Sequence, residues 1–266
     1  MSRRYLMCPP TYFDVTYAIN PWMATDVPVD RPRAIEQWEA LQRTYELLGH
    51  KVDVVDPVEG LPDMVFAANA GTVHEGKVVP ARFRYPERRG EEAPFRRWFD
   101  DHGFEVLTTD EETPVNEGEG DFLTAGDLLL SGTGFRTDPG ARDLLQELFG
   151  IPAVQLRLVD ARYYHLDTAL AVLDDRRIAY LPEAFSPGSR RVLERLFPDA
   201  ILATAEDAAA LGLNIVSDGV NVVMPGGAPR LAGELEAAGF VVHRMDMSEL
   251  IKAGGAVKCC TLELRD

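Results

Sequence analysis

The stretch LDTALAVLDDRRIAYLPEAFSPGSRRVLERLFPDAILATAED, residues 166–207, decides the fold of this protein. Its first part contains two apolar segments joined by Asp174 and Asp175, which predicts a β-hairpin. The amphipathic pattern over residues 189–197 predicts a helix, and an extended segment begins at Pro198. Together these features predict a ββαβ unit.

The same order of segments recurs along the chain at intervals of about 50 residues, which indicates an internal repeat. Four further helix-like segments are each followed by an extended segment that begins at a helix-ending glycine, namely Gly49, Gly103 (GFEVLTTDE), Gly150 and Gly239. Three further hairpins are predicted, with turns at residues 75–76, 125–127 and 218–219. The repeat therefore has five units.

The two ends of the chain supply the parts that the fifth unit lacks. RYLMCPP, residues 4–10, is a strand without a local partner, and KCCTLELRD, residues 258–266, is half of a hairpin. Pairing them closes a ring of five units and leaves no free sheet edge. We therefore expect an α/β fold with residues 1–266 in a single domain. The alternative is a single open α/β sheet with incidental regularity.

Composition and charge exclude several classes of protein. No apolar run reaches the roughly 18 residues that a membrane-spanning helix needs, and no secretory signal is evident. The 43 acidic and 27 basic residues give a net charge of −16, which disfavours nucleic acid as a partner. Three cysteines make a poor disulfide framework and favour a reducing cytoplasm. The absence of CxxC and HExxH patterns gives a metal site little support, and we expect no metal and no organic cofactor.

Polar residues occur where each predicted hairpin begins. If the five units surround one axis, these positions converge although they lie far apart in sequence. They include a thiol, an imidazole and several carboxylates, which is the strongest functional signal in the chain: Asn69, Glu117, Glu119, Asp121, His165, Asp167, Asn214 and Cys259.

The adjacent cysteines are predicted to have different environments. Side chains alternate between the two faces of a strand, so Cys260 would share a face with Leu262 and Leu264 and pack in the core. Cys259 would face the polar axis, where a thiolate can act as a nucleophile. Gly254 and Gly255 precede the pair and permit a close backbone approach.

His165 and the acidic residues around Glu117 predict the partners of this thiol. Asp167 follows His165 by two residues, and a carboxylate so placed can orient the imidazole. The segment EGEGD, residues 117–121, can grip a planar cation such as a guanidinium by charge-assisted hydrogen bonds. Thiolate attack on the guanidinium carbon, with histidine protonating the departing amine, is chemically consistent with this set.

These residues resemble the guanidino-group-modifying enzymes, which include dimethylargininase, arginine deiminase, arginine dihydrolase and the amidinotransferases. The resemblance covers almost the whole chain. Its motifs occur in the family's order: PDMVFAANAG at residues 62–71, EGEGD at 117–121, GTGFRTD at 132–138, HLDT at 165–168 and GGAVKC at 254–259. The resemblance implies a five-bladed α/β propeller of ββαβ repeats around a central active site, and a single catalytic domain.

The resemblance also implies roles for individual residues. Cys259 resembles the nucleophile that forms a covalent amidino-thioether, and His165 resembles the general acid and base. Glu117, Glu119, Asp121 and Asp167 resemble the acids that clamp the guanidinium, with Glu117 also in the catalytic set and Glu119 in an uncertain register. Arg136 resembles the arginine that holds the substrate α-carboxylate, and Arg88 is a second candidate. The alternative for either arginine is a solvated position on the protein surface. Asp63, Asn20 and Asn69 are further expected substrate contacts.

Asn69 departs from the aspartate that dimethylargininases and deiminases carry, and with Asn20 it resembles the arginine dihydrolases. Asparagine can donate as well as accept hydrogen bonds, so Asn69 can hold a ureido carbonyl. We therefore expect arginine to be converted to ornithine, ammonia and carbon dioxide, with arginine, citrulline or methylated arginine as ligand. The alternatives are a dimethylargininase, an amidinotransferase and a non-catalytic arginine-binding protein. A homo-oligomer is compatible with this hypothesis.

Overall fold

The computed structural model describes residues 2–107 and 113–265. Within this part of the chain, strands form five three-stranded sheets of orders β3-β4-β5, β6-β7-β8, β9-β10-β11, β12-β13-β14 and β15-β1-β2. The strands are β1 (Arg4–Met7), β2 (Lys51–Val54), β3 (Gly71–His74), β4 (Lys77–Pro80), β5 (Glu105–Val106), β6 (Phe122–Ala125), β7 (Leu128–Thr133), β8 (Ala153–Arg157), β9 (Leu170–Val172), β10 (Ile178–Tyr180), β11 (Ile201–Leu202), β12 (Val216–Ser217), β13 (Asn221–Pro225), β14 (Val241–Met245) and β15 (Leu262–Glu263).

Every sheet repeats the predicted pattern of an antiparallel pair followed by a parallel third strand. In the unit that decided the prediction, β9 and β10 pair antiparallel and β11 adds in parallel to β10. The chain ends form the fifth sheet, in which Leu6 of β1 pairs with Leu262 of β15 and with Asp53 of β2. Pairing of the two ends is therefore confirmed, and five separate sheets exclude a single open sheet.

The helices in the described residues are α1 (Arg31–Leu47), α2 (Pro86–Arg89), α3 (Glu92–Asp101), α4 (Gly140–Phe149), α5 (Pro187–Leu196), α6 (Ala205–Ala209) and α7 (Pro229–Ala237). Five of them follow the predicted amphipathic segments, and two short ones, α2 and α6, were not predicted. In α5, Ser186 caps the N-terminus by accepting from the backbone N–H of Ser189, and Pro187 occupies the first turn, where its missing N–H costs nothing. The predicted segment GFEVLTTDE contains β5, whereas its residues 108–111 lie outside the described residues.

Hydrogen bonds connect the segments that enter successive hairpins. Asn69 Nδ2 donates to the carbonyl of Glu117 at 2.9 Å, and His165 Nε2 lies 2.7 Å from Glu117 Oε2. Asn214 Nδ2 donates to the carbonyl of Asp167 at 3.2 Å, and Asn214 Oδ1 accepts from the N–H of Cys259 at 3.0 Å. The N–H of Ala68 donates to the carbonyl of Cys259 at 3.0 Å, which returns the sequence of contacts to the first hairpin. The five polar entry segments therefore converge, as predicted.

Apolar clusters fill the space between the helices and the sheets. Leu193 of α5, for example, packs in one buried cluster with Leu170 and Ile178 of the neighbouring strands. Across the described ranges we find no helix long and apolar enough to span a bilayer.

Candidate active site

Cys259 lies in a turn at residues 257–260, before β15 begins. The predicted strand alternation at the cysteine pair is therefore wrong, because the backbone N–H of Cys260 bonds to the carbonyl of Ala256 instead of to a neighbouring strand. The two side chains nevertheless separate. Both cysteines are buried in the same apolar cluster, but Cys259 also borders a small cavity with about 250 Å³ of empty volume, which Cys260 does not line.

Two glycines allow the turn to approach the rest of the site. Gly254 has a φ of +84°, and a Cβ atom there would lie 2.9 Å from Asn20 Oδ1 and 3.0 Å from the Tyr164 hydroxyl. A Cβ atom at Gly255 would overlap the ring of Phe66. The expected close backbone approach is confirmed, and it explains why both positions require glycine.

Asp167 and Asn214 hold the Cys259 thiol. The thiol donates to Asp167 Oδ2 at 3.2 Å, and Asn214 Nδ2 donates to the sulfur at 3.0 Å. Burial and the adjacent Asp167 carboxylate raise the pKa of the thiol well above its ordinary value. Burial also raises the pKa of Asp167 to about 7. When no ligand cation lies beside Asp167 and Cys259, the thiol of Cys259 is therefore neutral.

Glu117, and not Asp167, is the carboxylate that orients His165. Oε2 of Glu117 lies 2.7 Å from His165 Nε2 and accepts a second contact of 2.7 Å from Arg136 Nη1. Burial opposes ionisation of Glu117, but Arg136 and His165 outweigh it and hold the pKa of this carboxyl well below its usual range. The predicted orientation of His165 by Asp167 is wrong because the short helix Leu166–Thr168 turns Asp167 toward Cys259.

Arg136 and Arg88 are both buried, with 2% and 3% of their surfaces exposed, which excludes the solvated alternative for either residue. The guanidinium of Arg136 lies between Tyr85 and Tyr164, 4.7 Å from each ring centroid, and two of its five N–H donors bond to Glu117 and to the carbonyl of Ile19. Arg88 makes four hydrogen bonds, two of them to Glu91. Arg136 therefore has more donors available for a ligand.

Six of the predicted residues line the same cavity: Asn20, Asp63, Asn69, Arg88, Arg136 and Cys259. Asn69 is held at both ends, since its Oδ1 accepts from Arg88 at 2.7 Å and its Nδ2 donates to the Glu117 carbonyl. Asn20 Nδ2 donates to the carbonyl of Ala253 at 3.0 Å. Asp63 Oδ2 accepts from the Tyr17 hydroxyl at 2.9 Å, and burial raises the pKa of this carboxyl.

Neither His165 nor any of the four predicted clamps lines this cavity. Glu117 and Asp167 contact its lining residues Arg136 and Cys259, whereas Glu119 and Asp121 have other partners. Glu119 Oε2 is 2.6 Å from Lys258 Nζ and lines a different cavity, on the other side of the turn that carries Cys259. Asp121 Oδ1 accepts from the N–H of Leu166 at 3.0 Å and so fixes the backbone next to His165. The helical turn Gly118–Gly120 points the side chains of Glu117, Glu119 and Asp121 in different directions. They therefore do not form the expected shared clamp.

Asn214 is a functional residue that the sequence indicated only by its place in the repeat. Its Oδ1 accepts from the N–H groups of Ala256 and Cys259, and its Nδ2 contacts the sulfur. Glu91, which holds Arg88 by two hydrogen bonds, had no signal in the sequence because it lies in the turn between α2 and α3, outside the hairpin entry segments. Within the described ranges, no group of three His, Cys, Asp or Glu residues is arranged to hold a metal ion.

Comparison with known proteins covers nearly the whole chain. It is 52% identical over 263 residues to N(G),N(G)-dimethylarginine dimethylaminohydrolase of Mycobacterium tuberculosis, which is 99% of this chain and 86% of that protein. It is 40% identical over 270 residues to the bifunctional arginine dihydrolase/ornithine cyclodeaminase AgrE of Nostoc, where it matches 38% of the longer protein. No protein-family model matches the chain.

Solved structures give the same result. The N-terminal domain of ArgZ, in an Asn-to-Ser variant covalently bound to a reaction intermediate, superimposes with a TM-score of 0.96 at 38% identity, covering 100% of this chain and 98% of that domain. A dimethylarginine dimethylaminohydrolase adduct shares the fold with a TM-score of 0.78. By sequence and by structure, the chain belongs to the family of guanidino-group-modifying enzymes that contains the dimethylarginine dimethylaminohydrolases and the arginine dihydrolases.

Proposed function

We propose that the protein hydrolyses the guanidino group of free arginine through a covalent thioether on Cys259, and that it continues through citrulline to ornithine, ammonia and carbon dioxide. In this proposal the five sheets are the blades of a five-bladed α/β propeller, and the site occupies its centre. The three cysteines are free thiols, which supports a reducing compartment such as the cytoplasm.

The observation that carries the proposal is a pair of unsatisfied carboxylate oxygens near the thiol. Asp167 Oδ1 and Asp63 Oδ1 are buried and have no hydrogen-bond partner among the described residues. Buried acceptors normally have partners, because an unmet one costs about 1–3 kcal/mol. A guanidinium supplies five N–H donors and a positive charge, so it satisfies acceptors that the protein leaves open.

Binding of this cation would also activate the nucleophile. A positive charge beside Asp167 and Cys259 favours the ionised forms of both groups and opposes the effect of burial. The thiolate then attacks the guanidinium carbon, a C–S bond forms, and one C–N bond breaks as ammonia leaves. Water attacks the same carbon, the C–S bond breaks, and citrulline is released.

His165 is the group that moves protons in both halves of this step. Its Nε2 is held by Glu117, which Arg136 keeps ionised, so an imidazolium formed during the reaction is stabilised. His165 protonates the departing ammonia and then accepts a proton from the attacking water. Arg136 has three N–H donors without a hydrogen bond to the described residues, so it is the better candidate for the substrate α-carboxylate.

Asn69 supports the second hydrolysis. One of its two Nδ2 hydrogens bonds to the Glu117 carbonyl, which leaves the other to donate to the neutral ureido oxygen of citrulline. Repetition of the thiol chemistry on that carbon consumes a second water and gives ornithine, ammonia and carbon dioxide. The relatives ArgZ and AgrE, which carry the name arginine dihydrolase, support this substrate.

A dimethylargininase is the second candidate, and the 52% identical relative with that name favours it. The same thiol, histidine and acids would release dimethylamine from dimethylarginine and stop at citrulline. The substrate question is therefore decided by measurement of products.

The test is mass-spectrometric product analysis after separate incubation with arginine, citrulline and dimethylarginine. We expect ornithine from arginine and from citrulline, in amounts that scale with enzyme. Citrulline that accumulates without ornithine would overturn the two-step proposal, and dimethylarginine as the preferred substrate would establish the second candidate. Cys259→Ser is the control that removes the nucleophile.

A further inference from the structure

Within the described residues, the side chain of Asn214 bonds only to Asp167 and to the turn that carries Cys259. Asn214 is fully buried and comes shortly before β12. Its Oδ1 accepts from the N–H groups of Ala256 at 3.2 Å and of Cys259 at 3.0 Å. Its Nδ2 donates to the carbonyl of Asp167 at 3.2 Å and to the Cys259 sulfur at 3.0 Å. The amide therefore uses both of its hydrogens and both lone pairs of its oxygen.

The orientation of this amide follows from its partners. A rotation of the amide plane by half a turn would place its nitrogen against the N–H groups of Ala256 and Cys259, so that donors would face donors. The same rotation would place its oxygen against the carbonyl of Asp167. The hydrogens of Nδ2 therefore face the Cys259 sulfur.

The sulfur of Cys259 bonds to two side chains, and their effects differ once the thiol has lost its proton. Asp167 Oδ2 accepts from the thiol at 3.2 Å, but a carboxylate cannot donate to a thiolate and repels its charge. Asn214 Nδ2 is a donor, and a hydrogen bond to an ionised acceptor is roughly twice as strong as one between neutral groups. Cys260 and Tyr164, which also interact electrostatically with the thiol, are not cations.

We propose that Asn214 is a further catalytic residue, whose Nδ2 donates to the Cys259 sulfur and stabilises the thiolate that attacks the substrate. Its Oδ1 holds the turn in place, so that the donor and the sulfur keep one geometry. Because the bond to the sulfur strengthens when the thiol ionises, Asn214 favours the reacting form of the thiol over its resting form. The inference rests on the proposed function for the identity of the reaction.

The position of Asn214 predicts which kinetic constant its loss changes. Asn214 is not among the residues that line the substrate cavity, so its replacement should affect the chemical step more than the binding of substrate. Removal of a donor that faces a developing negative charge lowers kcat by about a hundred- to a thousandfold in other enzymes. For Asn214→Asp and Asn214→Ala we expect a loss in kcat for arginine of at least about a hundredfold, with KM within about threefold of wild type. A raised KM with unchanged kcat would overturn the inference.

The direct test is the rate at which iodoacetamide alkylates Cys259 at about pH 8.5, measured by peptide mass mapping of the unliganded protein. Below the pKa of the thiol, this rate is proportional to the fraction of thiolate. We expect alkylation to slow at least about tenfold in both variants, as for a rise of about one unit in the pKa of the thiol. If Asn214 had only a structural role, its loss would loosen the turn and expose the thiol. An unchanged or faster rate would therefore overturn the inference.

Asn214→Asp separates the two ends of the amide. One carboxylate oxygen can still accept from the N–H groups of Ala256 and Cys259, whereas the other faces the sulfur and cannot donate when it is ionised. This variant should keep the turn and slow alkylation at least as much as Asn214→Ala does. Circular dichroism reports the fold, and whichever variant keeps it decides the inference. Alkylation and kcat within about twofold of wild type in Asn214→Asp would overturn the role of the donor.

Asn221→Ala is the matched control, because Asn221 belongs to the hairpin that Asn214 precedes but its side chain bonds elsewhere. Its Nδ2 donates to Asp218 Oδ2 at 2.9 Å, and its Oδ1 lies 3.2 Å from His243 Nε2. Its replacement should leave the alkylation rate of Cys259 unchanged. An equal loss in Asn221→Ala would mean that the hairpin as a whole sets the reactivity of the thiol, and it would overturn the inference.

Failure of the proposed function would give a different result. If the wild-type protein does not turn over arginine, the proposed function fails and the measurement of kcat has no signal. The alkylation rates do not depend on arginine, so they still decide the role of Asn214. Slower alkylation in its variants would support Asn214 as the donor to the thiolate, and an unchanged rate would overturn that role.

Discussion

The cavities on the two sides of Lys258 and Cys259 differ in size and in how their charges are satisfied. The larger one, of about 710 Å³, is lined by charged side chains that pair with each other, such as Lys258 with Glu119 and Arg3 with Glu263. The smaller one, of about 250 Å³, is lined by Asp63 and Cys259. Asp63 and Asp167, which contacts the Cys259 thiol, each have a buried carboxylate oxygen without a partner among the described residues. The reactive cavity is therefore identified by carboxylate oxygens without hydrogen-bond partners near a thiol, and not by the volume of the cavity.

The largest effect expected from this comparison follows removal of the thiol from the smaller cavity. Cys259→Ser should reduce turnover of arginine by at least about a thousandfold, because a hydroxyl at this position lacks a base strong enough to ionise it. Circular dichroism should report an unchanged fold. Turnover within tenfold of wild type would show that the smaller cavity is not where the chemistry occurs.

Asp167→Asn should lower kcat/KM for arginine by about a hundredfold, because a neutral amide replaces one of the two open carboxylates. The same change should raise the Tm at pH 8. The pKa of Asp167 is raised from 3.8 to about 7 in the folded protein, so its contribution to stability is fully present below the unfolded value and is lost as pH rises through 7.

The control for Asp167→Asn is the same comparison at pH 5. Because pH 5 lies only a little above the unfolded pKa of 3.8, most of this stability is still present there, and we expect a smaller gain in Tm than at pH 8. A gain of equal size at pH 5 and pH 8 would mean that packing, and not charge, makes Asp167 costly.

Replacement of Asn69 should have a smaller effect, and it tests whether the cavity recognises the ureido oxygen of citrulline. In Asn69→Asp the carboxylate can no longer donate to a ureido oxygen, although it still accepts from Arg88. We expect the ratio of citrulline to ornithine formed from arginine to rise at least about tenfold, with the first hydrolysis less affected. An unchanged product ratio would remove Asn69 from the second step.

The smallest effect on catalysis is expected at the neighbouring thiol. Cys260 is fully buried among apolar side chains, so Cys260→Ser should lower the free energy of unfolding by about 0.5–3 kcal/mol. Urea denaturation measures this loss of stability. In a steady-state assay, turnover should stay within about twofold of wild type. A loss of turnover comparable to that of Cys259→Ser would contradict the division between the two cysteines.

The sequence was sufficient to predict the five strand-and-helix units because each unit depends on local patterns. The turn at Asp174 and Asp175, the amphipathic segment of α5 and the apolar β1 and β15 all carry their own signals, so even the pairing of the chain ends was predictable. The convergence of Asn69, His165 and Cys259 then followed from the repeat.

Side-chain partners were less predictable because they come from different units. His165 is oriented by Glu117, 48 residues earlier, and not by the nearby Asp167. The turn around Cys259 and the helical turn Gly118–Gly120 also break the alternation of side chains that a strand would impose. As a result Glu119 contacts Lys258, and Glu117 contacts His165. Short non-strand segments of this kind have no distinctive sequence pattern.

The central claim is that the sulfur of Cys259 bonds to the guanidinium carbon. Its most direct test is rapid acid quenching of the protein during turnover of arginine, followed by intact-protein mass spectrometry and peptide mapping. We predict an adduct with the mass of arginine less one ammonia on the peptide that contains Cys259, located on that residue and absent from Cys259→Ser. Turnover without any adduct, or an adduct on Cys260 or Cys8, would contradict the account.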